Sequence, residues 1–344
     1  MDSKSFTYQG LPTRVIFDVD HLNVVKAEST LLNMKRPMVV TGQQQSTLGA
    51  VIRTMLQWSH WDGAKMHTPV ADTERALAFY HDRESDGIVA LGGGSAIGLG
   101  KAIALRTDCP QLVIPTSYAG SEMTNILGET TKVGKTTKRD PKIQPETVIY
   151  DPTLLASLPA KFAATSGMNA IAHAVEGLYA VDGNPIVSLM AVEGIRALAA
   201  ALPNNDHKQA LYGAWLCGTV LGSVSMALHH KLCHVLGGTF NLPHAETHTV
   251  ILPHATAYNA PAVPAAMERI RVALNTNSAA QGLYDLAQNL GAPTSLQSLG
   301  MNETDLDKAA DLAAANPYSN PQALTRQGIR KLLENAYYGR RPNE

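Results

Sequence analysis

The sequence predicts an N-terminal α/β domain built on a parallel sheet, followed by an all-α domain, and three observations carry that prediction. Up to residue 152, short apolar runs rich in β-formers alternate with amphipathic stretches. Beyond residue 152, segments rich in Ala and Leu recur at helical spacing. The chain has 344 residues, more than one typical core organises, so the change of texture reads as a domain boundary, with 1–152 as one domain and 153–344 as the other.

Taken in order, TRVIFDV (13–19) and PMVVTG (37–42) read as strands, and STLGAVIRTMLQW (46–58) and ADTERALAFYHDRE (71–84) as helices. GIVAL (87–91) and LVIPTS (112–117) read as buried strands, and TTKVGKTTKRDPKIQPE (130–146) as a polar connection or hairpin. TVIYDP (147–152) reads as the last strand, closed by Asp151 and Pro152. Strands alternating with helices imply a parallel sheet with helices on its faces. In the second half, KFAATSGMNAIAHAVEGLYA, SLMAVEGIRALAAAL, KQALYGAWLCGTVLGSVSMAL, AMERIRVALN and GLYDLAQNLG read as helices.

With 45% hydrophobic and 17% charged residues, the composition is that of a globular protein. A net charge of −1 and a pI near 6.9 give no reason to expect a nucleic acid or an anionic membrane as partner. Cys109, Cys217 and Cys233 lack the spacing of a disulfide framework, which fits a reducing cytoplasm. The opening MDSKSFTYQG has no signal-peptide core, and no run of 18 consecutive apolar residues occurs, so a cytoplasmic protein is expected.

Two stretches carry chemistry. Residues 226–259 hold five of the 12 histidines before Pro253, and His230 and His234, four apart, project from one helix face. Gly237-Gly238 is expected to break the helix and fold His244 back toward them. Imidazoles converging in a pocket suit acid/base or Lewis-acid chemistry. The second stretch is GIVALGGGSAIGLGKAIAL (87–105), in which a strand runs through three glycines and Ser95 into a helix. Glycines let the backbone approach a phosphate, and free N–H groups at a helix start favour an anion. PTSYAGSEMTN (115–125), after the next strand, supplies a second loop for the same crevice.

These segments, with SGMNAIAHAVEGLYA and HHKLCHVLGGTFNLPHAETHTVILPHATAYN, stand in the order and spacing of the iron-containing (group III) alcohol dehydrogenase-like family, which the chain resembles over nearly its whole length. The resemblance implies a Rossmann-like NAD(P)-binding domain and a helical catalytic domain, the dehydroquinate synthase-like fold of that family. Within the family the similarity is greatest to members that reduce maleylacetate, a dicarboxylate, to 3-oxoadipate with NADH or NADPH during bacterial degradation of aromatic compounds. It implies a homodimer, the usual state of similar enzymes.

Carried over by position, the family's diphosphate loop falls on Gly93, Gly94 and Ser95, with Thr116, Ser117 and Leu154 as further nucleotide contacts and Lys135 toward the nicotinamide. Metal-dependent members carry aspartate where this chain has Gly98, and commonly another where it has Gly42. Without an acid beside the adenosine ribose, both NADH and NADPH are expected to serve. In those members an aspartate and three histidines bind Fe²⁺ or Zn²⁺; the matching positions here are Asn169, His173, His230 and His244. An amide is a poorer ligand than a carboxylate and brings no charge, so a metal-independent site is expected. His234 and His244 are the candidates for stabilising and protonating an enolate, with His230 and His173 beside them. A metal-dependent alcohol or glycerol dehydrogenase and a non-catalytic nucleotide sensor are the competing readings. Lys231, Arg326, Tyr118 and Asn125 are lesser candidates around the substrate, and Cys233 reads as wall.

Overall fold

The computed structural model describes residues 5–131, 134–315 and 318–343, with Lys135 described only in its backbone. Two compact units are present. One is Gly10–Leu158; the other comprises the described residues from Pro159 onward together with those before Gly10.

In chain order the first unit contains β1 (Arg14–Phe17), α1 (His21–Leu31), β2 (Met38–Val40), α2 (Ser46–Leu56), β3 (Ser59–Trp61), α3 (Val70–Asp82), β4 (Ile88–Gly92), α4 (Gly94–Thr107), β5 (Gln111–Pro115), β6 (Ile126–Thr131), β7 (Gly134–Arg139) and β8 (Thr147–Tyr150). Six of the strands form one sheet in the order β1-β8-β5-β4-β2-β3, every pairing parallel. The central β4, β5 and β8 are buried at every residue, as a sheet covered on both faces requires. Val39, Val89, Leu91, Leu112, Ile114 and Ile149 close one face against Val25 of α1 and Ile52 of α2. The polar 130–146 segment contributes to the antiparallel β6–β7 hairpin, registered from Ile126 opposite Arg139 to Thr131 opposite Gly134.

Two elements of this unit, α1 and β3, go beyond the sequence reading. Helix α1 starts at Asp20, whose carboxylate accepts the Leu22 N–H at 2.9 Å, so a cap rather than a clear apolar stripe specifies it. Strand β3 is three residues long, after Gln57 in the left-handed conformation (φ 60°), and too short to show alternation.

Among its described residues the second unit contains helices and no strand: α5 (Ala160–Gly177), α6 (Pro185–Ala201), α7 (His207–Ser223), α8 (Leu228–Phe240), α9 (His244–Asn259), α10 (Pro264–Leu274), α11 (Ala279–Asn289), α12 (Leu306–Ala314) and α13 (Arg326–Tyr337). From Ala163 to Gly177, α5 is buried on every side, which explains its Ala-rich, nearly acid-free sequence. Its neighbours α6 and α7 approach closely because Gly194 and Gly213 face each other's helix; a Cβ at Gly194 would stand 2.7 Å from Cys217 Sγ. The chain bends by 94° between α7 and α8. Leu228, Leu232 and Leu236 of α8 then pack with Val250 and Ile251 of α9 and Ile329 and Leu333 of α13.

The expected break at Gly237-Gly238 is not where the chain turns. Helix α8 continues through both glycines to Phe240, and the reversal is made by Asn241 in the left-handed conformation (φ 55°) with Pro243 at the start of α9. Neither glycine has a positive φ, so nothing in their geometry interrupts the helix.

Candidate functional sites

The loops after β2, β4 and β5, three neighbouring strands, meet at the carboxyl end of the sheet. Thr116 N–H donates to Gly92 O at 3.1 Å, and a Cβ on Gly93 would lie 3.1 Å from Ser117 Oγ. Gln45 Oε1 lies 3.8 Å from where a Cβ on either Gly42 or Gly92 would be. Gly92 itself has φ 151°, a conformation that favours glycine. Gly42, Gly93, Gly94, Ser95, Thr116 and Ser117 are therefore gathered around the N-terminus of the 14-residue α4, and the Cβ direction of Gly94 opens onto empty space. The turn forms an open cradle at the helix start, where free N–H groups favour an anion. Leu154 lies past β8, the next strand along, half-buried against the sheet core. The side chain of Lys135 lies outside the described residues. Gly98 packs closely against Thr68: a Cβ would stand 2.5 Å from Thr68 Oγ1, so a side chain there would require Thr68 to shift.

Behind this cradle, Lys101 is completely buried. Its Nζ donates to Ser121 O (2.6 Å), Thr124 O (2.6 Å), Thr124 Oγ1 (2.9 Å) and Ile126 O (3.1 Å), tying down the loop that follows β5. Burial pushes its pKa down to about 7, against the attraction of the buried Glu122. Glu122 in turn accepts the Tyr150 hydroxyl at 2.9 Å.

In the helical unit, Asn169, His173 and Glu176 occupy successive turns of α5, α8 contributes His229, His230 and His234, and α9 contributes His244 and His248. His173 Nδ1 lies 2.9 Å from His230 Nε2, and His230 Nδ1 lies 2.7 Å from Glu176 Oε2. Asn169 Nδ2 is 3.5 Å from His173 Nε2. The ring centres of His230 and His234 are 6.5 Å apart, and His248 bridges the set, 5.0 Å from His230 and 4.3 Å from His244. All four sequence-selected histidines thus join one cluster. His173 and His230 are buried, His244 is half-buried and His234 is exposed. Burial, reinforced by the neighbouring imidazoles, holds His229 and His248 well below the ordinary histidine pKa.

Family models match both units: the iron-containing alcohol dehydrogenase model over residues 12–152 and the C-terminal model of the Fe-containing alcohol dehydrogenase family over 163–337. The chain belongs to the iron-containing alcohol dehydrogenase family. It is 51% identical to maleylacetate reductase from Sphingobium indicum, over 98% of this chain and 99% of that protein. The crystal structure of maleylacetate reductase from Rhizobium sp. strain MTP-10005 superposes with a TM-score of 0.94 at 49% identity, covering 99% of this chain and 100% of that one. An iron-containing alcohol dehydrogenase from Corynebacterium glutamicum superposes at 0.93 with 39% identity, covering 98% of each chain.

The iron of the family name is a poor match for the donors in this member. The nitrogens that face each other across Asn169, His173 and His230 are already in hydrogen-bond contact, and His230 Nδ1 is taken by Glu176. The ligand position that would bring negative charge is an amide, whose buried Oδ1 has no hydrogen-bond partner. A second set, His229, Cys233 and His248, brings three ligand-type atoms within 4.8 Å, but there His229 Nε2 and His248 Nδ1 bond each other at 3.0 Å. Burial raises the Cys233 thiol well above its ordinary pKa, in keeping with a wall residue.

Sequence reasoning missed Glu176, His229 and His248. Glu176 carried a signal: it is the only acid in the 18 residues of α5, three after His173, and a carboxylate in so apolar a helix needs a partner. Of the lesser candidates, Arg326 is exposed and paired with Asp307 (2.6 Å) and Asp311 (2.9 Å), a solvated helix face. Lys231 lies 5.6 Å above the Tyr318 ring. Tyr118 is buried, and Asn125 accepts from Arg139 at 3.4 Å in the α/β unit.

Proposed function

We propose that the chain reduces the C=C bond of maleylacetate to give 3-oxoadipate, using NADH or NADPH and no metal ion. The observation that carries this reading is full-length identity of about one half to maleylacetate reductases, in a chain whose family metal position is Asn169. Gly93, Gly94, Ser95, Thr116 and Ser117 hold the diphosphate, with Leu154 and Lys135 as further contacts. Gly42 presents no carboxylate to repel a 2′-phosphate. Bound NADH or NADPH supplies the hydride.

Maleylacetate conjugates its C=C bond with a ketone. Hydride added to the carbon β to that ketone leaves an enolate, whose charge is spread over oxygen and the α carbon. Imidazole N–H groups stabilise that oxygen and return a proton to the α carbon, a lighter demand than the localised alkoxide of an alcohol dehydrogenase. His234 and His244, the two more accessible histidines, take these roles, with His173 and His230 supporting them. The protein works in the cytoplasm as a homodimer, with neither nucleic acid nor membrane as partner; near-neutral charge supports the last point.

The test is oxidation of NADH and NADPH by the purified protein with freshly generated maleylacetate, and separately with simple aldehydes and ketones, before and after exhaustive chelation. Turnover of maleylacetate that survives chelation is expected. Turnover of simple carbonyls that disappears on chelation and returns with Fe²⁺ or Zn²⁺ would establish a metal-dependent alcohol dehydrogenase instead.

A further inference from the structure

Glu176 is completely buried, and both its oxygens are occupied. Oε1 accepts the His229 N–H at 2.8 Å; Oε2 accepts the Ala227 N–H at 2.9 Å and the His230 N–H at 3.4 Å. Backbone N–H groups can only donate, so this carboxyl group stands as an acceptor toward α8. His230 Nδ1, 2.7 Å from Oε2, must then carry its ring proton. With the Nδ1 proton directed at Glu176, an imidazole carrying a single N–H has a lone pair at Nε2, and His173 Nδ1 at 2.9 Å is placed to donate to it. His173 Nε2 is left as the acceptor facing the Asn169 amide nitrogen. Each proton fixes the next.

We infer that Glu176 is a positioning residue of the histidine site: it sets the direction of a hydrogen-bond relay from Asn169 through His173 and His230 to itself, which holds both imidazoles as neutral Nδ1–H tautomers and occupies the place of the family's metal ion. The same carboxylate binds the first backbone N–H groups of α8, where negative charge is favoured. Ring orientation and helix position are therefore set together, and His234, one turn beyond His230, is carried on the helix so placed. His234 is exposed and His244 half-buried, so these two are the histidines of the cluster open to a substrate. This last step rests on the proposed reduction of maleylacetate; the relay itself does not.

The test combines ¹⁵N NMR of histidine-labelled full-length protein, with resonances assigned by single histidine substitutions, and kinetics of Glu176→Gln and Glu176→Asp. In the unliganded wild type, His230 and His173 are expected as neutral Nδ1–H tautomers. In Glu176→Gln, His230 is expected to populate the Nε2–H form. Its kcat for maleylacetate should fall about tenfold to a hundredfold with little change in KM for NADH, and Glu176→Asp should recover part of the loss. A doubly protonated or Nε2–H His230 in the wild type overturns the relay, as does a Glu176→Gln protein with wild-type tautomers and turnover. If Glu176→Gln does not fold, the wild-type spectrum still decides. A wild type inactive on maleylacetate would remove the functional reading and leave the tautomers as an independent result.

Discussion

Glu122 of the α/β unit and Glu176 of the helical unit are both completely buried, and their partners differ in kind. Glu122 accepts from Tyr150, leaves Oε2 without a hydrogen bond, and is attracted to Lys101, whose ammonium is spent on loop oxygens. Burial therefore dominates there, raising the Glu122 pKa and lowering that of Lys101 to about 7. Glu176 instead receives three backbone N–H groups and an imidazole. The first arrangement staples the loop that follows β5 and is indifferent to proton direction. The second is directional, because an imidazole has two distinguishable nitrogens and a carboxylate fixes which one holds the proton. Burial of a carboxylate alone does not tell the two apart; the partner does.

The contrast is tested most strongly where the directional site meets substrate. His234→Ala and His244→Ala are each expected to lower kcat for maleylacetate by about 10²–10⁴-fold, with binding of NADH to the α/β unit, followed by fluorescence, nearly unchanged. Turnover retained by both variants would take the chemistry away from this cluster.

The two sites should also respond differently to removal of a whole pair. Lys101→Met leaves Glu122 and the Ser121, Thr124 and Ile126 carbonyls without their cation and should cost about 3–5 kcal/mol in denaturant unfolding, and adding Glu122→Leu should recover only the part owed to the stranded carboxylate. The corresponding double replacement of Glu176 and His230 by apolar residues should recover stability in the same way and leave turnover lost. Equal recovery of activity in both cases would erase the distinction between staple and relay.

How far each site was legible in the sequence follows from the same difference. The glycine cradle is local: GGGS after a β-rich run states its own geometry, and the adjacency of β4 and β5 does the rest. The six-stranded parallel sheet followed from the rhythm of apolar runs, although β3, with three residues, had no period to show. The histidines could be selected by density, but their pairing could not be read. His173 and His230 are 57 residues apart, and the partner of His230, Glu176, lies on α5, which reads as an apolar core helix. The turn that brings His244 round was assigned to the glycines because they are the more permissive residues, whereas Asn241 took the left-handed position and Pro243 set the next helix.

A smaller effect separates an imidazole with a carboxylate from one without. His254, on α9, is buried with Nε2 lacking a partner, and burial takes its pKa from 6.5 to about 4. The unfolded chain therefore takes up a proton first as the pH falls, so the contribution of His254 to stability is intact above 6.5 and is lost progressively down to 4. Compared with His254→Leu, the wild type should lose about 3 kcal/mol of unfolding free energy over that interval. Parallel pH profiles for the two proteins would mean that His254 is protonated in the folded state.

The smallest expected change lies in the cradle, where the sheet places a residue without any charged partner. Gly42 has φ −83° and ψ 170°, a backbone conformation open to any residue, and a Cβ there would meet Ala64 O at 3.5 Å and Gln45 Oε1 at 3.8 Å, ordinary contacts. Gly42→Asp should therefore fold normally and put a carboxylate beside the other nucleotide loops. Repulsion of a 2′-phosphate from this half-exposed position should raise KM for NADPH about tenfold, or ~1.4 kcal/mol, and leave KM for NADH within about twofold. The penalty should shrink at high salt, because it is carried by a charge open to solvent. An equal rise for both cofactors would mean that the side chain obstructs the cradle sterically; no rise for either would place the adenosine ribose away from Gly42.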